Sequence, residues 1–227
     1  MSSQTIFQTR HSTFGALGEE EKDRAVTNRL GSVIVTDLYT QLILSGYAYH
    51  QQIGTEDAGV ASTTSIDDEL VWMLADNPDL LAMIPLLYEV TPGVYGGATI
   101  LYSMLEVDKA KARYTSGGTA YVPSNLRTDD DKTASGTFFV GTDVAALTKS
   151  TVPDSVELAR KQYTEDALAD TLGYPGIWDA SVYDINKRPA CVLVGVSSLL
   201  CHFGTNNTDA TGYGVLQFAQ FASALVV

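Results

Sequence analysis

The side chains best suited to nucleophilic or metal chemistry are three histidines, His11, His50 and His202, and two cysteines, Cys191 and Cys201. A structural zinc site needs four ligands, with closely spaced pairs among them. Ten positions separate the two cysteines and His202 directly follows Cys201, which is not such a set. On a strand, Cys201 and His202 point to opposite faces. A Cys–His nucleophile pair needs the base against the thiol, and adjacent strand residues do not provide it. Both cysteines therefore read as small buried hydrophobes, with a single pair between them as the alternative, and two are too few for a disulfide framework.

Two acidic loops come next. Asp129, Asp130 and Asp131 follow one another in "SGGTAYVPSNLRTDDDKTASGTFFVG" (116–141), and Asn206, Asn207 and Asp209 lie in "GTNNTDATGYG" (204–214). Calcium favours oxygen ligands from such loops, but in a spaced pattern that neither stretch has. The paired carboxylates of glycoside hydrolysis meet in space rather than in sequence, so a hydrolase on a β-sandwich stays as an alternative without nameable residues. No G-x-S-x-G elbow, phosphate-binding G-x-x-x-x-G-K-[ST] loop or H-E-x-x-H pair occurs. The pairs Gly96-Gly97 and Gly117-Gly118 lead into strands rather than helices, so no helix dipole adds to their N–H groups. This reading assigns no catalytic residue, no cofactor and no metal.

Charge narrows the partners. The chain has 227 residues and a net charge of −13, which repels phosphate backbones and argues against direct nucleic-acid binding. The nearest basic stretches, "KAKAR" (109–113) and "NKR" (186–188), are short. Hydrophobic residues make up 45% and charged residues 18%, enough apolar content for one large core. The apolar runs fall far short of the ~20 residues of a membrane span, and the first residues lack the pattern of a secretory signal.

The elements that must position any site are strands. Residues 1–30 are polar and read as an extended N-terminal arm, and 31–227 as a single domain. "GSVIVTDLYTQLILSGYAYH" alternates and reads as a strand. Asn77-Pro78 splits two apolar runs as a turn, and Pro85 inside the second predicts an edge or a bulge. Leu101, Leu105 and Val107 share one face of "GGATILYSMLEVD". "GTAYV", "GTFFVG", "SVYDI" and "PACVLVGVSSLL" supply further strands. In the tail, Leu216 and Phe218 face one way, and Val215, Ala219 and Phe221 the other, which reads as a strand, with a helix as the alternative because Val215, Phe218 and Ala222 also fit helical spacing. One segment reads as a helix, about residues 154–172. Asp154 and Glu157 form a capping-box pattern, Gly173 a stop, and Pro175 follows. About eight to ten strand candidates and one helix predict an all-β fold, a β-sandwich or jelly roll with one inserted helix.

The order of "LADNPDLLAMIPLLYEV", "ATILYSMLEVD" and "SGGTAYVPSNLRTDDDKTASGTFFVG" resembles a pattern in structural proteins of tailless phages and prophages. In that pattern an apolar strand meets an Asn-Pro turn, a second strand follows, and a Gly-Gly-Thr entry leads through a Pro to a connector. "NKRPACVLVGVSSLLCHFGTNNTDATGYGVLQF" is similar to their ending. Asn125-Leu126-Arg127 departs by one residue from the family's usual Asn-Arg. The resemblance implies a virion structural protein, a single jelly-roll capsid or related shell subunit, resident in the virion. Its partners are then copies of itself, with or without a second shell protein. The candidate subunit-contact loop is Asn125, Arg127, Asp129, Asp130 and Asp131. A receptor- or carbohydrate-binding sandwich of a spike or fibre is the first alternative, supported by 12 tyrosines and the Asn/Asp loops.

Overall fold

The computed structural model describes residues 38–63, 70–94, 96–98, 100–151, 153–164, 178–179, 191–207 and 209–225. The arm expected at 1–30 lies outside them, as does "SVYDI". Among the described residues one α-helix, α1 (Leu38–Leu44), precedes fourteen strands. These are β1 (Ala48–Ile53), β2 (Val60–Ala61), β3 (Leu70–Asn77), β4 (Leu81–Val94), β5 (Ile100–Asp108), β6 (Tyr114–Ser116) and β7 (Thr119–Ala120). They continue as β8 (Ser124–Asn125), β9 (Thr137–Ala146), β10 (Ser155–Thr164), β11 (Trp178–Asp179), β12 (Leu193–Val194), β13 (Ser197–Thr205) and β14 (Thr211–Ala222).

The strands form two antiparallel sheets packed face to face. One runs β11-β4-β14-β1-β8 and the other β10-β5-β13-β3-β9-β6. Eight strands carry a single pairing rule. In chain order they are β1, β3, β4, β5, β10, β11, β13 and β14, and the first half pairs with the second in reverse. The pairs are β1 with β14, β3 with β13, β4 with β11, and β5 with β10. Two further ladders, β4 with β14 and β5 with β13, stitch these pairs into the two sheets. This is a jelly roll.

The segment between β5 and β10, residues 109–154, is an insertion in that plan. Its β9 lines up outside β3 in one sheet, while its β8 lines up outside β1 in the other. It thus covers the edges of both sheets on one side of the sandwich. Gln51 of β1 crosses between the sheets there, donating from Nε2 to the Phe139 carbonyl at 3.0 Å.

The space between the sheets is filled by Trp72, Leu101, Leu105, Val107, Leu199, Cys201, Phe203, Leu216 and Phe218, all buried. Trp72 packs against Phe203 with ring centroids 4.9 Å apart, and Phe138 stacks on Phe218 at 5.5 Å. The expected shared face of Leu101, Leu105 and Val107 is this inner face. The two-faced tail also holds: Leu216 and Phe218 point inward, while Ala219 and Phe221 pack under α1. Pro85 sits in a strand with neighbours on both sides, and the register shifts beside it, where Gln217 faces Leu87 but Phe218 faces Pro85. The ladder absorbs the proline through a bulge.

Two expectations are corrected. "DLYTQLIL" is a helix over Leu38–Leu44 rather than a strand. Tyr39, Leu42 and Ile43 also fit helical spacing, and the helix lays Leu42 on the outer face of the β1-β14-β4 sheet. It stops at Gly46, whose φ is +72°. Gly46 N–H donates to Ile43 O at 2.9 Å and Tyr47 N–H to Leu42 O at 3.0 Å, a Schellman ending. The second correction is the helix expected at 154–172. Over Ser155–Thr164 the chain is β10, paired along its length with β5; the remainder lies outside the described residues. Glu157 is not a helix cap but pairs with Arg160 at 2.7 Å. An unpaired β5 would leave a long row of ladder groups open, and filling that row outweighs the local helix signals.

Candidate functional site

The predicted contact loop closes on its own chain before it can meet another. β8 sets Asn125 beside Tyr49 at the sheet edge. Asn125 Nδ2 donates to Gly46 O at 3.0 Å, and its Oδ1 accepts the Arg127 N–H at 2.9 Å. Arg127 then makes a two-pronged contact with Asp129, Nε to Oδ1 at 2.7 Å and Nη2 to Oδ2 at 3.1 Å. Its third donor, Nη1, reaches the Leu44 carbonyl at 2.9 Å, so the guanidinium also caps the last turn of α1. Asp130 pairs with Lys132 at 3.2 Å, and the Lys132 ammonium lies 5.5 Å from the centre of the Tyr47 ring. The hydrogen bonds from Arg127 hold the Asp129 carboxyl below the ordinary carboxylate range.

Four of the five predicted residues, Asn125, Arg127, Asp129 and Asp130, are thus drawn into one turn under α1, and Asp131 is exposed beside them. The Arg127 and Asp129 side chains remain 40% and 71% exposed, so an outer rim stays open to a partner.

A second, buried constellation was not foreseen. It lies on the outer face of the β5-β13-β3 sheet, under the roots of the insertion. Arg113 and Glu106 are both buried there, Nη1 to Oε1 at 3.5 Å. Ser155 donates to the same carboxylate oxygen. The other oxygen, Oε2, faces His202 Nε2 at 3.8 Å, beyond hydrogen-bond length. His202 Nδ1 lies 3.1 Å from the Leu70 carbonyl, which can only accept, so that nitrogen carries a proton.

Two more carboxylates hold the insertion's ends. Asp76 accepts the N–H groups of Arg113 and Tyr114, each at 3.0 Å, and the Ser198 hydroxyl at 2.5 Å. Asp108 accepts Ala110 N–H at 3.0 Å and the N–H and hydroxyl of Ser150 at 2.9 and 2.8 Å. The one signal that could have revealed the cluster is Glu106 itself. It alternates with apolar residues in "YSMLEVD" on a strand whose two faces both look covered.

Burial pushes the Glu106 carboxyl up, but the His202 ring, the Ser155 hydroxyl and the Arg113 guanidinium outweigh it and hold the pKa down to about 2. A group held as a carboxylate is an anchor, not a proton donor, at neutral pH. The ordinary value is 4.5, and a folded-state pKa below the unfolded one gives stability that is present above the unfolded value. That stability is lost as pH falls from 4.5 toward 2. We expect the urea midpoint to decline over this window, and Glu106→Gln to flatten that part of the decline. Equal slopes in both proteins would contradict the assignment. Cys201 is inert by contrast, since burial pushes its thiol well up, and it faces the inner core while His202 faces out, as strand alternation requires.

Comparisons of the chain with protein-family models, with curated proteins and with solved structures found no match.

Proposed function

We propose that this chain is a structural shell subunit, a jelly roll that builds a virion capsid by packing beside copies of itself, with or without a second shell protein. The observation that carries the reading is the reversed pairing of the first four jelly-roll strands with the last four. Capsid subunits share that plan with lectins and cupins, and a plan alone does not set a function. Two features favour the shell. The space between the sheets is taken up by Trp72, Phe203, Phe218 and their neighbours, as in a scaffold rather than a container. The insertion seals both sheet edges on one side and carries an exposed charged rim at Arg127 and Asp129.

Assembly is the test. Purified protein should form large particles by light scattering and negative-stain imaging. Arg127→Ala should keep the native circular dichroism spectrum, because its partners are exposed or local, while changing the yield or size of particles. A protein that stays monomeric at high concentration in low and high salt, and that binds glycans, would move the reading to a receptor- or carbohydrate-binding sandwich. Loss of folding in Arg127→Ala would show that the connector is a core element and not a contact.

A further inference from the structure

We infer that the end of the sandwich formed by the β3–β4 corner, β12 and the last residues of β14 is a contact surface between copies of this chain. The inference deepens the shell-subunit reading and takes its partner from it.

The surface starts from a backbone outlier. Leu80, at the β3–β4 corner, has φ +65° and is the one non-glycine residue with positive φ among the described residues. That region disfavours side chains with a Cβ, most of all large ones. Strain of this kind persists where the surroundings hold it, and it concentrates at functional positions. Here the surroundings are specific. Asp79 Oδ1 accepts the Leu80 N–H at 2.9 Å, and the Leu80 carbonyl accepts Ser223 N–H at 2.9 Å. The result is a leucine presented to solvent, 74% exposed, at a turn where glycine or asparagine would cost less.

Other exposed apolar side chains adjoin it. Gly195 N–H donates to Leu81 O at 2.8 Å, and Asn77 Nδ2 donates to the carbonyls of both Leu81 and Gly195. This clamps the β12 segment against the corner. Val194 and Val196, 50% and 42% exposed, flank that glycine, and Val192, just before β12, is exposed too. Ala222 pairs with Leu81 and is exposed.

Charge narrows the partner and agrees with a second copy. At a net charge of −13, two copies repel wherever their carboxylates meet. A basic partner would select the acidic surface. Another copy of the same acidic chain is tolerated best where charge is missing. Residues 80–84, 192–198 and 219–225 contain no Asp, Glu, Lys or Arg, and Asp79 is the acid next to them. An apolar anchor in an uncharged surround is the make-up of the centre of a subunit contact.

The experiment follows self-association by analytical ultracentrifugation over a concentration series, for the full chain and two variants. Leu80→Asp should weaken association by about tenfold or more. Leu80→Gly should weaken it as well, yet raise the melting temperature of the dissociated protein, because glycine relieves the positive φ. Opposite signs in the two readouts separate a contact residue from a merely structural one. If the unaltered chain associates and both variants associate equally well, this surface is not the contact, while the shell-subunit reading stands. If the unaltered chain does not associate at any concentration, both fail. A Leu80→Gly protein that is less stable would also overturn the inference, since the leucine would then be serving the fold.

Discussion

Replacing Arg113 with alanine should lower the unfolding free energy by about 3–5 kcal/mol, read as a fall in urea midpoint. The size comes from what is left behind. Arg113 is fully buried, with Nη1 3.5 Å from Glu106 and Nε donating to the Leu147 carbonyl at 2.7 Å. Without the guanidinium, the Glu106 carboxylate stays in its pocket with less to balance it, and the Leu147 carbonyl loses its donor. Removing one partner of a buried pair costs far more than the pair itself contributes. The double variant Arg113→Ala/Glu106→Gln should therefore recover part of the loss, and the coupling can be read from the double-mutant cycle. A single-variant loss below about 1 kcal/mol would mean that water reaches the pair and screens it as it does at surfaces.

The second large effect belongs to the inner core. Trp72→Ala should cost about 3–5 kcal/mol. Trp72 is fully buried, its indole Nε1 donates to Ala61 O at 3.2 Å, and its ring packs on Phe203. It also leans on β14 at a glycine: a Cβ at Gly214 would come within 2.6 Å of the indole Cζ3. The ring thus fills the gap between sheets at a point where the opposite strand has no side chain. Alanine leaves a cavity that the rigid ladders cannot close, whereas Trp72→Phe should keep much of the packing. Thermal unfolding monitors both variants. A Trp72→Ala protein that melts within a few degrees of the parent would show that the sheets settle together over the gap.

The strands were legible where burial and alternation agree. Leu101, Leu105 and Val107 mark an inner face, and the tail's two faces separate Leu216 and Phe218 from Ala219 and Phe221. Asn77-Pro78 is a corner between sheets, and Pro85 announces a bulge. Legibility failed where local and long-range preferences conflict. "DLYTQLIL" satisfies both a period of two and a helical period, and only the sheet beneath it decides. Residues 155–164 carry good helix signals, and only the open edge of β5 overrides them. The connector could be read as a strand–turn–strand unit because its glycines, its proline and its aspartates act locally. The Glu106–Arg113–His202 cluster could not be assembled in advance. Its members come from β5, the insertion and β13, and neighbouring positions on three segments carry no mutual signal in one sequence.

Because the eight jelly-roll strands pair early with late, their framework cannot close until the last strands are made, although the insertion's β8 and β9 can pair with β1 and β3 before then. β1 and β4 both have β14 as their long partner, so the centre of one sheet is its last strand. Such distant pairing closes large loops before it gains contacts, and sandwiches of this kind fold in roughly milliseconds to seconds rather than microseconds. Until β13 and β14 arrive, β3 and β5 lack the strand between them and Trp72, Leu101 and Leu105 lack the inner face of β14, and exposed apolar surface of this kind favours aggregation of nascent chains. The order of synthesis thus makes the first half of the chain wait for the strands that complete both sheets.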